Sequence, residues 1–156
     1  MVYANVIDSK LARHLVADKV EPFFVEHQLD YALVVMYEVV LDDEDLAMEL
    51  FYALESGEIN FHEVAHQYIQ DKSRRRSGGY RGVLRRTELK PEISAAAFAA
   101  TPPQILRPIV TSSVTHLILV KELIQPELDD ILRDKIIADL FDAWLKSQLE
   151  QVSILR

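Results

Sequence analysis

FHEVAHQY, Phe61 to Tyr68, can be read in two ways, and the choice between them decides the fold. Its inner HEVAH has the spacing of a zinc-binding helix: His62 and His66, four residues apart, share one face, and Glu63 is placed to act as a base. A catalytic zinc needs a third protein ligand. Glu88, Glu92 and His116 follow downstream, and none of them sits on a recognisable third-ligand helix. The second reading takes the apolar residues first. Phe61, Val64, Ala65 and Tyr68 repeat at i, i+3, i+4 and i+7, the stripe of a helix packed on a core. On the same wheel the two histidines fall on the flank of that stripe, toward solvent. The second reading carries the segment, and no bound metal or other cofactor is expected.

Working outward, YALVVMYEVVL from Tyr31 to Leu41 is valine-rich and free of breakers, the signature of a buried strand. Asp42, Asp43, Glu44 and Asp45 then concentrate negative charge where a helix begins, and Gly57 closes that helix after LAMELFYALES. After Tyr68, the run DKSRRRSGGYRGVLRR holds three of the four glycines and seven basic residues, so a flexible basic loop entering a short strand is expected. Pro91 and ISAAAFAA predict a helix stopped by TPP at Thr101 to Pro103. Leu106 to Val110 and Thr115 to Val120 read as two strands of a hairpin joined by TSSV.

At the ends, Leu11, Leu15, Val16, Val20, Phe23 and Phe24 mark helical segments from Ser9 to about Gln28, with Pro22 breaking them or opening the second. Beyond Pro126 a long amphipathic helix is predicted on Leu128, Ile131, Leu132, Ile136, Leu140 and Trp144. The order is helices, strand, two helices, strand, helix, two strands and a long helix. That order is α+β: a small mixed sheet with helices packed on it.

The chain as a whole sets bounds on function. Its 156 residues, 49% hydrophobic, suit one compact core with helical extensions. A net charge of −8 disfavours general nucleic-acid binding, which needs a basic surface to displace counterions. There is no cysteine, hence no disulfide or thiolate metal site. MVYANVIDSKLARH lacks the basic start and apolar run of a signal peptide, and no apolar stretch is long enough to span a bilayer, so a cytoplasmic protein is expected.

Taken together, LAMELFYALESG, FHEVAHQY, GGYRG, LKPEISAAAF and RPIVTSSVTHLILV resemble, in order and near-correct separation, the pattern of the parvulin-type (PpiC, rotamase) peptidyl-prolyl isomerases. The resemblance runs from about Asp30 to Leu123. It implies a small mixed or antiparallel four-stranded sheet with surrounding helices. The flanking helices resemble those of the chaperone-like, SurA-like bacterial branch, and the tail resembles its cyanobacterial members. The implied layout is amino-terminal flanking helices over 1–29, an isomerase-like domain over 30–124, and a carboxy-terminal helix over 125–156 that packs with the first.

Such proteins hold a proline in an apolar pocket and lower the rotation barrier of about 18–20 kcal/mol by favouring a twisted amide. The resemblance implies a polar centre of two histidines with an Asp or Cys. Here the last-strand histidine is His116, the first-strand position is Glu38, and the Asp of G-G-D-x-G is Tyr80. The apolar pocket aligns with Leu89, Ile93 and Phe98, and the hairpin threonine with Thr111, while Ser113 and Val114 replace a Phe-Gly pair. Peptide affinity with weak catalysis is expected, the alternative being a non-catalytic peptide-binding chaperone or adaptor. Arg81, Arg85 and Arg86, from the basic run, are the expected contacts for an acidic residue of a proline-containing or unfolded segment.

Overall fold

In a computed structural model, residues 14–155 are described, and the chain divides into two compact units. Leu29–Pro126 forms one; the described residues up to Gln28 and those from Glu127 onward form the other. Ser9 and Leu11, and most of the run read for a signal peptide, lie outside the described residues.

In the larger unit, β1 (Leu33–Leu41) is the central strand, because its alternating residues are apolar on both faces. Val34 and Met36 face one side; Val39 and Leu41 face the other. Helices α3 (Glu44–Ser56) and α4 (Phe61–Tyr68) cover the second side with Ala47, Leu50, Phe61, Val64 and Ala65. Both start on side-chain caps. Asp43 accepts from the amides of Asp45 and Leu46, and Asn60 from that of Glu63, leaving fewer orphan donors at each helix start. Gly57 ends α3 with φ of 81°, a conformation in which a Cβ would crowd the carbonyl.

The rest of this unit departs from expectation in two places. A short helix, α5 (Lys72–Arg76), lies inside the run read as a loop. The carboxylate of Asp71 caps it by accepting from the Arg74 amide at 2.9 Å, and Lys and Arg are good helix formers. Strand β2 (Tyr80–Arg85) follows, and α6 (Pro91–Phe98) covers the first face of the sheet with Ile93 and Ala97.

Among the described residues the sheet has five antiparallel strands, in place of the four implied by the resemblance. Strand β5 (Val114–Ile124) pairs along one edge with β1. Along the other it meets β3 (Gln104–Ile105) and β4 (Ile109–Thr111). Those two are pieces of one edge, interrupted near Pro108, which has no amide hydrogen for the ladder. The strand expected over Leu106–Val110 is therefore split and shifted. Its hairpin turns through Ser112, at φ of 54°.

In the smaller unit, α1 (Val20–Glu26) lies against α7 (Asp130–Leu155), with Val16, Val20, Phe24, Ile136 and Ile137 buried. A one-turn helix, α2 (Gln28–Tyr31), follows α1 and, from Leu29, belongs to the larger unit. The stripes read from the sequence hold at Val20 and Phe24 on α1 and at Ile136 on α7, where Leu132, Leu140 and Trp144 are half-buried; Leu15, before α1, is exposed, and on α7 Ile131 is exposed at 82% while Ile137 is buried. Among the described residues no helix is long and apolar enough to cross a membrane.

Candidate functional site

Where Val34 and Met36 leave off along β1, the next residue on their face is Glu38, and it is buried. A carboxylate at such a place costs too much unless each oxygen is paired. Both are. Oε2 accepts from Nδ1 of His116 at 2.9 Å, and Oε1 accepts from the Arg81 guanidinium at 3.1 Å, with Arg74 at 3.8 Å. His116 continues the face formed by Ile118 and Val120 on β5, one strand over.

On the far side of the imidazole, Nε2 lies 2.6 Å from the hydroxyl of Thr111. That hydroxyl accepts from Nζ of Lys90 at 3.3 Å. Ionised carboxylates only accept, so Nδ1 of His116 carries a hydrogen. In the neutral ring Nε2 then accepts from the Thr111 hydroxyl, and all donors in the chain from Lys90 point toward Glu38. Glu38, Thr111 and His116 are each more than nine-tenths buried, and among the described residues no buried side-chain nitrogen or oxygen lacks a partner.

Beside this polar chain lies an apolar surface. Ile93 is buried in the cluster of Met36, Ile118 and Val120, and Leu89, Phe98 and Ile109 pack around it half-buried. The guanidinium of Arg86 stands over the Phe98 ring, 5.6 Å from its centre. One face thus presents aliphatic and aromatic side chains next to a histidine, a threonine and two cations, Arg86 and Lys90.

The residues singled out in the sequence divide accordingly. His116, Glu38, Thr111, Leu89, Ile93 and Phe98 come together. Tyr80 does not join them. The β1–β2 register shifts between Met36, opposite Gly82, and Tyr37, opposite Tyr80, leaving Arg81 as the extra residue of a bulge. Tyr80 is thereby turned to the opposite face, where its ring lies 5.3 Å from that of Tyr37. Arg81 meets Glu38 in its stead. Arg85 is engaged elsewhere, donating from Nε and a terminal nitrogen to the carbonyl of Asp30 at 3.2 and 3.0 Å and lying over the Tyr31 ring. Sequence reasoning passes over Lys90 and takes Arg74 only as one of the basic run. A lysine just before the proline that opens α6 is the available signal for Lys90; nothing in the order of residues marks Arg74 out from its two neighbours.

His62 and His66 are exposed on α4, as the buried stripe of Phe61, Val64 and Ala65 requires. Among the described residues no group of three His, Asp or Glu side chains is arranged to hold a metal ion. The metalloprotease reading has no site among them.

Comparison with known proteins gives a family from sequence and a shared fold from shape. Residues 42–122 match the rotamase family, described as the PPIC-type PPIASE domain. The foldase protein PrsA of Halalkalibacterium halodurans is 28% identical over 102 residues, covering 65% of this chain and 30% of that protein. PrsA of Caldanaerobacter subterraneus subsp. tengcongensis is 23% identical over 158 aligned positions, covering 91% of this chain and 51% of that protein. The chain thus spans between about a third and a half of these curated relatives. Among solved structures, PrsA of Bacillus anthracis superposes with a TM-score of 0.60 at 22% identity, over 94% of this chain and 69% of the other. The SurA-like chaperones PEB4 and Cj1289 of Campylobacter jejuni are represented by a match at a TM-score of 0.55 and 21% identity, over 97% of this chain and 66% of the other. The match to residues 42–122 covers more than half of the chain, which belongs to the PPIC-type peptidyl-prolyl isomerase (rotamase) family.

Proposed function

We propose that the Leu29–Pro126 unit binds extended, proline-containing peptide segments on the α6-facing side of its sheet and catalyses prolyl isomerisation weakly. The observation that carries this reading is the juxtaposition of the Thr111–His116–Glu38 chain with the half-buried apolar surface of Leu89, Phe98 and Ile109. A proline ring suits that surface, and a prolyl amide laid beside Thr111 would meet a polar group as it twists. Turnover is slow in this reading because His116 already has partners on both ring nitrogens. An acidic residue next to the proline would meet Arg86 and Lys90, since Arg81 is paired with Glu38 and Arg85 with a backbone carbonyl.

A protease-coupled assay on a panel of Xaa-Pro peptides, run beside His116→Ala, tests the proposal. Slow catalysis that falls in the variant supports it. A second reading, a peptide-binding module without turnover, is favoured by one feature: an ion pair, Glu38 with Arg81, occupies the polar centre. Binding that depends on Ile93 and Phe98, with no catalysis at any peptide, would select it.

A further inference from the structure

Glu38 is a buried acid on a central strand, and its ionisation is what orders the chain of hydrogen bonds behind it. If the carboxyl were protonated, its O–H would be free to donate to Nδ1 of His116, and the ring hydrogen would move to Nε2. The direction of both hydrogen bonds of the His116 ring therefore depends on what keeps Glu38 charged, while Lys90 donates to Thr111 in either case. His116 contributes a hydrogen bond to Oε2, but a neutral imidazole brings no charge. The other oxygen faces Arg81, whose guanidinium is charged at all working pH values, at 3.1 Å. Arg74 stands further off at 3.8 Å.

Arg81 reaches Glu38 through the bulge that also turns Tyr80 away. Glu38 is bonded to this segment by its backbone as well, its amide donating to the Gly79 carbonyl at 2.8 Å. The bulge therefore brings both backbone and side chain of residues 79–81 to a single acid.

We propose that Arg81 is a positioning residue for this site, clamping Oε1 of Glu38 so that Oε2 holds His116 with its ring hydrogen on Nδ1 and Nε2 turned to the Thr111 hydroxyl. Held so, His116 offers a bound peptide no N–H of its own, and acts on it through Thr111. The role rests on the peptide-binding reading for its purpose, while its physical content can be read without any peptide.

Nitrogen-15 NMR of the imidazole in the full chain reads that content directly, since the protonated and unprotonated ring nitrogens of a neutral histidine resonate far apart. In the unsubstituted protein the hydrogen of His116 is expected on Nδ1. Arg81→Gln, which keeps a hydrogen-bond donor and removes the charge, is expected to average the two nitrogen resonances or exchange their positions. Arg81→Lys, which keeps the charge, is expected to restore the Nδ1–H pattern, and Arg74→Ala to leave it in place. Arg81 is more than one-third exposed on an edge strand, so these variants should fold. An Nδ1–H pattern unchanged in Arg81→Gln, or lost equally in Arg81→Lys, would overturn the proposal. A protein that shows the expected spectra and yet binds no proline peptide would instead sink the functional reading and leave the role of Arg81 standing.

Discussion

Glu38 on β1 and His116 on β5, 78 residues apart in the chain, meet at 2.9 Å with both side chains almost wholly out of solvent. Removing the acid leaves the Nδ1 hydrogen of His116 without an acceptor. Glu38→Ala should destabilise the Leu29–Pro126 unit by about 1–3 kcal/mol, the cost of a buried donor left unmade. Glu38→Gln, whose amide oxygen still accepts, should cost less than half as much. Urea unfolding followed by far-UV dichroism measures both, and equal losses would show that the hydrogen bond is not the source.

Thr111 is the one group through which Lys90 and His116 are joined. Thr111→Val keeps the shape of the side chain and removes the hydroxyl. Isomerase turnover should fall about tenfold, the equivalent of one hydrogen bond of roughly 1.4 kcal/mol, with little change in peptide affinity. Turnover equal to that of the unsubstituted protein would remove Thr111 from the mechanism.

Two glycines with positive φ should answer differently to alanine. At Gly79, with φ of 85°, a Cβ would lie 2.6 Å from the backbone oxygen of Glu38, so both strain and overlap arise. Gly79→Ala should cost about 3 kcal/mol. At Gly57, with φ of 81°, nothing lies within 4 Å, and only the conformational strain of about 1 kcal/mol remains. Thermal or urea midpoints of the two variants, compared side by side, check the difference.

The histidines of HEVAH should be dispensable. His62→Ala with His66→Ala removes two exposed side chains from α4 and leaves Phe61, Val64 and Ala65 in place. Stability should change by no more than about 0.5 kcal/mol per site, and peptide binding should not change. Isothermal titration with a proline peptide, together with metal analysis after dialysis, measures this. A stoichiometric zinc lost from the double variant would reverse the reading of this helix.

Removing the cap at Asp43, which accepts from two amides at the start of α3, should cost about 1 kcal/mol as Asp43→Ala and much less as Asp43→Asn. Chemical denaturation of the two variants gives the comparison.

Local order was legible in the sequence wherever a physical rule acts within a few residues. The stripe of Phe61, Val64 and Ala65, the acidic start of α3, the stop at Gly57 and the valine-rich run of β1 each depend on neighbours in the chain, and each was legible there. The order of those elements was enough to point to the fold. His116 with Leu89, Ile93, Phe98 and Thr111 could be gathered as a candidate site only through the resemblance to the parvulin-type family, which marks those positions one by one; spacing alone does not join them.

What only the tertiary structure decided is set by register, which no single strand specifies. One extra residue in β2 reverses which side of the sheet its neighbours face, so Tyr80 lies with Tyr37 and Arg81 lies with Glu38. The split of the edge strand around Pro108 depends on what β5 has left to pair, and the burial of Ile137 with Ile131 left exposed on which residues α7 meets. Residue types and their spacing made this a small α+β protein with apolar clusters on both faces of its sheet. The pairing of distant strands made its polar centre an acid held between a histidine and an arginine, because a buried charge is stable only where the fold brings partners to both of its oxygens.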